Sequence, residues 1–115
     1  MRVLNGEIKC EETKKIEQGA TVEIDIYCLR PSGPSVTIGR ARIENPIQFP
    51  IEYEVIWDDT SLLNRSAKCM IGVRITRNER LDFLSKTDLP IIDKQTGQVQ
   101  DRINVPLVNV GRNNR

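Results

Sequence analysis

Histidine is absent from this sequence of 115 residues. With it go the commonest general base and the commonest zinc ligand. Aromatic residues are scarce, at 4%, so stacking platforms for single-stranded nucleic acid or for sugars are poorly supplied. An excess of one charge is lacking as well. Seventeen basic residues stand against 16 acidic ones, a formal net charge of +1, which removes the electrostatic basis for strong attraction to nucleic acid or to an anionic membrane. No apolar run approaches the ~20 residues needed to cross a bilayer, so no transmembrane segment is expected. The start, Met1-Arg2-Val3-Leu4-Asn5-Gly6, has neither the apolar stretch nor the small-residue cleavage site of a signal peptide. There is no CxxC spacing for a metal. Gly33 and Gly39 belong to no phosphate-cradling pattern that opens a helix. No cofactor or metal is implied.

What remains is an alternating pattern of apolar and polar residues. Val22, Ile24, Ile26 and Cys28 share one parity, and Glu23, Asp25 and Tyr27 the other, the period of a strand with one buried and one wet face. The same rhythm places Ile51, Tyr53, Val55 and Trp57 inward, with Glu52 and Glu54 outward. It places Cys69, Ile71, Val73 and Ile75 inward, and Leu4, Ile8 and Cys10 opposite Glu7 and Lys9. Ile103, Val105 and Leu107 continue it near the end, where Pro106 predicts an edge or bulged strand because it cannot donate to a ladder. Val36–Ile43 changes parity, and a bulge at Gly39 would let both ends bury their apolar residues. Leu81–Ser85 makes a further short strand, and 60–64 a single helical turn. Turn signals at Gln18-Gly19, Pro31–Pro34, Glu44-Asn45-Pro46, Asp58–Thr60, Arg77-Asn78-Glu79 and Thr96-Gly97 punctuate the runs. About seven short strands predict an all-β antiparallel β-sandwich. It would be a single domain over residues 1–110, followed by a flexible C-terminal tail, 111–115.

Candidate chemistry is thin. Cys10, Cys28 and Cys69 all take inward parity, which reads first as three buried thiols acting as small hydrophobes. The alternative is one disulfide that involves Cys69 and bridges two sheets, with one thiol left over. A Cys10–Cys28 bond is disfavoured, because in a first hairpin turning at Gly19 the two would sit at opposite ends. A nucleophilic thiol would want a histidine partner. Glu52 and Glu54 are about 7 Å apart on one outer face, and read as solvated. Asp58-Asp59-Thr60 reads as a turn or a helix cap. Arg74, Arg77 and Arg80 are interleaved with acids and read as a solubilising edge. Asn64-Arg65-Ser66 fits a glycosylation sequon and makes Asn64 a possible glycan acceptor in a eukaryotic secretory pathway. Ile56 and Met70 share the outward parity of Glu54 and Arg74. If their strands are neighbours, Ile56, Met70 and Arg74 form a small partner-binding spot.

The order of these segments resembles a known family. Ile16-Glu17-Gln18-Gly19-Ala20-Thr21-Val22-Glu23-Ile24 is similar to an early hairpin, and Pro46-Ile47-Gln48-Phe49-Pro50-Ile51-Glu52-Tyr53 to a following strand. Gly72-Val73-Arg74-Ile75, Arg80-Leu81-Asp82-Phe83, Thr87-Asp88 and Pro90-Ile91-Ile92 follow its closing pattern. The family is a bacterial envelope lipoprotein family that includes the type III secretion lipoprotein chaperones, or pilotins. The resemblance implies a β-sandwich of transthyretin-like or immunoglobulin-like shape and no enzymatic activity. In the pilotin branch it implies a lipid-anchored chaperone for the secretin ring subunit. A lipid anchor here would require a signal and a lipid-accepting cysteine preceding this sequence. The implied location is the cell envelope or periplasm; a chain starting natively at Met1 would instead be cytoplasmic. The function expected is thus a non-catalytic binding or chaperone-like module with a protein partner, engaged by strand addition at a sheet edge or by capture of an apolar segment. The alternative is a secreted inhibitor or carrier on the same scaffold.

Overall fold

The computed structural model describes residues 1–11, 15–60 and 68–110. Asn64, most of the 60–64 turn and the 111–115 tail lie outside them. Eight strands follow in order: β1 (Arg2–Cys10), β2 (Thr21–Leu29), β3 (Val36–Glu44), β4 (Ile51–Trp57), β5 (Lys68–Arg77), β6 (Arg80–Ser85), β7 (Leu89–Pro90) and β8 (Val105–Asn109). Period-2 alternation holds in the long strands. Val22, Ile24, Ile26 and Cys28 are buried, as are Ile51, Tyr53, Val55 and Trp57, and likewise Cys69, Ile71, Val73 and Ile75. Among the described residues no helix is long and apolar enough to cross a membrane.

The strands form a closed barrel rather than a sandwich. Their order is β2-β3-β4-β1-β8-β6-β5, and β5 pairs back onto β2, so seven strands close the ring. The short β7 extends beside β5, pairing Met70 with Pro90 and Ile71 with Leu89. The sheet is also mixed, because β1 and β8 run parallel through Ile8↔Val105 to Cys10↔Leu107. Closure covers the sheet edges, which would otherwise invite association, except along β3 and β4, which share one residue pair. The predicted first hairpin is absent: β1 pairs with β4 and β8, whereas β2 pairs with β3 and β5. Alternation reports which face of a strand is buried, not which strand lies beside it, and the partners here are distant in sequence.

Two further expectations are corrected by the same closure. Cys28 and Cys69 face each other in register and form a disulfide, so the three-thiol reading fails. The bridge joins neighbouring strands of one wall, not two sheets. Cys10 is half-buried and stands outside it. Pro106 lies in a strand flanked on both sides, by β1 and β6. The ladder with β6 ends at Ser85↔Leu107, and only the Pro106 carbonyl is used, accepting from Lys86 N–H at 2.9 Å. Lys86 stands opposite Pro106 one step past that end, and the reciprocal bond back to Lys86 is the one the proline cannot make.

Close approaches shape the core. A Cβ on Gly6 would lie 1.9 Å from the Ile103 carbonyl oxygen, so the gap between buried Leu4 and Ile8 is filled by the chain at Ile103. The Tyr53 hydroxyl donates to that same carbonyl at 2.7 Å. A Cβ on Gly39 would lie 2.5 Å from the Trp57 Cβ. The expected bulge falls beside it: pairing passes from Ile26↔Gly39 to Tyr27↔Thr37, leaving Ile38 as the extra residue. At β5–β6 the register shifts past Asp82, whose carboxylate accepts from Arg77 at 3.1 Å. Next to it the Ser85 hydroxyl donates to the Val73 carbonyl and accepts from the Val73 N–H. Asn78 and Glu79 both take positive φ, 53° and 65°, as a two-residue hairpin turn of the right twist requires.

Candidate functional site

One seam of the barrel differs from the rest. β3 and β4 share a single residue pair, Gly39↔Trp57, supported by Asp58 N–H donating to the Ile38 carbonyl. From there the strands diverge toward the 45–50 loop, so Arg40–Glu44 pairs only with β2, and Ile51–Ile56 only with β1. The cause is local. Gly39 lets the backbones approach at Trp57, and the ladder between β3 and β4 goes no further. Ile38, Ala41 and Ile43 are consequently half-buried, although their parity points inward. Asn45, with φ of 52°, starts the loop and donates its N–H to the Ala20 carbonyl at 2.9 Å. The loop exposes 86% of Ile47. Against it lie two shallow grooves of about 360 Å³ each, one lined by Ile43, Pro46 and Ile51, the other by Ile16, Gly19 and Pro46.

The outer face of β4 continues this surface. A groove of about 590 Å³ runs over Ile43, Tyr53, Glu52, Glu54, Asn5 and Arg102. Glu52 stands directly across from Glu7, and Glu54 from Asn5. Glu7 has Lys9 at 3.6 Å, and Arg102 donates to the Asn5 side chain. Glu52 and Glu54 make no salt bridge among the described residues. Burial raises the ionisation of the Tyr53 hydroxyl well above the ordinary tyrosine range, so it stays a neutral donor to Ile103.

The outer face of β2, β5 and β6 has a different character. Arg74 donates to Glu23 at 2.8 Å and Arg40 to Asp25 at 2.8 Å. The Tyr27 hydroxyl donates to Asp88, and burial together with that carboxylate pushes Tyr27 up to about 12. Gly72 leaves room for the Asp88 carboxylate, which a Cβ would meet at 2.9 Å, and a dip of about 200 Å³ forms there. Glu23 and Asp25 on this face are each paired with an arginine. At the Asp58 turn, the carboxylate accepts from both the N–H and the hydroxyl of Thr60. Those bonds hold Asp58 below its usual range.

The three residues proposed as one spot are divided. Met70 and Arg74 share the outer face of β5. Ile56 lies on β4, separated by β3 and β2 on one side and by β1, β8 and β6 on the other. The apolar neighbour of Ile56 is Val3, its partner in register, and they are 59% and 42% exposed. Val3 was hidden because parity cannot name a cross-strand partner. Ile47 carried a signal that sequence reading passed over, an isoleucine in a turn between two prolines.

Set beside known proteins, this geometry finds a counterpart. The chain is similar to an alternative pilotin from the type II secretion system of Vibrio cholerae, at 18% identity and a TM-score of 0.82, over 96% of this chain and 98% of that one. At this identity the likeness establishes the shared fold. A comparison with curated protein sequences gives no match. Residues 1–105 match the type III secretion system lipoprotein chaperone family (YscW). The chain belongs to that family of secretion chaperones.

Proposed function

We propose that this chain is a non-catalytic chaperone of the cell envelope whose client is a protein of a secretion machine, the secretin ring subunit. The family match over residues 1–105 carries the reading, and the whole-length likeness to a pilotin supports it. The chemistry agrees in kind. The open seam between β3 and β4 offers apolar surface and unpaired strand backbone, the two things a binding module of this sort uses. A lipid anchor would hold such a chaperone at the membrane, which suits the lipoprotein character of the family.

Deleting the gene and following the secretin in membrane fractions tests the role. Loss of assembled secretin from the outer membrane, restored by the wild-type gene, is expected. Isothermal titration of the purified chain with the purified secretin subunit tests direct binding. Normal assembly in the deletion strain, together with no heat of binding, would overturn the proposal.

A further inference from the structure

We infer that the docking surface is the outer face of β4 with the groove beside it, and that its occupant is a basic amphipathic segment of the protein client. This inference rests on the chaperone reading and assigns the chemistry of the partner. Three observations converge on it. Apolar groups sit at both ends of the face, Val3 and Ile56 at one, Ile43 and Ile47 at the other. Between them stand Glu52 and Glu54, outside any salt bridge among the described residues, with Glu52 opposed to Glu7. Like charges directly opposite on neighbouring strands repel. Lys9 lies 3.6 Å from Glu7 and Arg102 is engaged by Asn5, so Glu52 and Glu54 are the carboxylates of this face that a cation laid across them would pair. The seam places the groove at the end of this face, where β3 leaves β4.

The rival surface, over β2 and β5, fits a charged partner poorly. There Glu23 and Asp25 are each held by an arginine, and a partner would have to break those pairs before making its own. Geometry sets the pattern of the occupant. Glu52 to Ile56 spans about 13 Å at the rise of a strand. The segment that fits has apolar residues at its two ends and Lys or Arg between them.

Two probes separate this inference from the chaperone reading. The first is a synthetic Lys/Leu amphipathic peptide, with a Glu/Leu peptide of the same pattern as control, titrated into the isotope-labelled chain and followed by backbone amide shifts. Shifts at Val3, Ile43, Ile47, Glu52 and Ile56 are expected with the Lys peptide alone, lost in Glu52→Lys/Glu54→Lys and reduced as salt rises. Equal responses to both peptides, or shifts confined to β2 and β5, would sink the docking surface. The second probe is the purified secretin subunit, titrated against wild type, Glu52→Lys/Glu54→Lys, Ile47→Ser and Met70→Ser. A tenfold or greater loss in the first two variants and less than twofold in Met70→Ser supports the surface. Tight binding unchanged by Glu52→Lys/Glu54→Lys overturns the surface and leaves the chaperone reading standing. Peptide binding at β4 with no secretin binding does the reverse. Circular dichroism melts of each variant show whether it is folded.

Discussion

The wall formed by β2 and β5 and the seam between β3 and β4 are built from similar residues and behave as opposites. On the wall, nine residues of β2, Thr21 to Leu29, pair in register with β5. Ile24, Ile26, Ile71 and Ile75 are fully buried beneath it, a disulfide ties its end at Cys28–Cys69, and arginines neutralise its outer carboxylates. At the seam one residue pair closes the ring. Ile38 and Ile43 there are half-buried, and the buried indole N–H of Trp57 has no hydrogen-bond partner among the described residues. Strength is concentrated on one side of the barrel, and adaptable surface on the other. Local stability is accordingly expected to differ between the two sides, since regions with few buried apolar contacts open most readily.

The comparison can be broken most severely at the disulfide. Cys28 and Cys69 are separated by 41 positions, and closing a loop of that size stabilises by about 4 kcal/mol in the chain-entropy view. Replacing both with serine is expected to lower stability by roughly 2–4 kcal/mol, read as a shift of the urea midpoint. A shift no larger than that of a surface mutation would show that the wall holds without its tie.

The next contrast uses one substitution in two places. Ile26→Ala on the wall removes a fully buried side chain and should cost about 3 kcal/mol. Ile43→Ala at the seam removes one that is half-buried and should cost roughly 1 kcal/mol. Equal losses in denaturant melts would mean that the seam is packed as tightly as the wall.

Alkaline titration acts on both regions. Tyr27 keeps its proton to about 12 in the folded chain, against an ordinary value of 10.0, and Tyr53 is shifted the same way. Between those values the unfolded state binds fewer protons, so stability falls as pH rises. It is fully present below pH 10 and lost as pH climbs through about 12. Tyr27→Phe should flatten part of this loss in melts taken across that window. An unchanged profile in that variant would place the titration elsewhere.

The smallest effect carries an opposite sign. Glu52→Lys turns a like-charged cross-strand pair with Glu7 into an attractive one and should raise stability by about 0.2–1 kcal/mol, while weakening capture of a basic segment. A thermal melt reads the first change, and the peptide titration the second. Destabilisation would show that Glu7 and Glu52 do not repel in the free chain.

Strand identity was legible because burial imposes a period of 2. Glu23 against Ile24, and Glu52 against Ile51, reveal which side faces the core whatever the neighbour. The bulge beside Gly39 was legible for the same reason, as a break in parity that burial demands. The docking candidate was only half legible. Ile56 announced itself by its outward parity, but its partner Val3 lies 53 positions away in sequence and is brought opposite by the β1–β4 register. Met70, read as a neighbour of Ile56, lies across the barrel. The acidic centre at Glu52 read as solvated, because its opposition to Glu7 exists only once β1 and β4 pair.

By itself, then, the sequence determined the strands, the buried face of each, the turns at Asn78 and Asn45 that allow positive φ, and a family pattern that extends over most of the chain. Tertiary structure decided everything that depends on pairing: closure through β2–β5 instead of two sheets, the parallel β1–β8 contact, the Cys28–Cys69 bridge and the loosely closed seam. The reason is physical. Alternation follows from the transfer of each side chain out of water, a property local to its residue. Which strand lies beside which is settled only when the whole set of backbone ladders and packed side chains closes together.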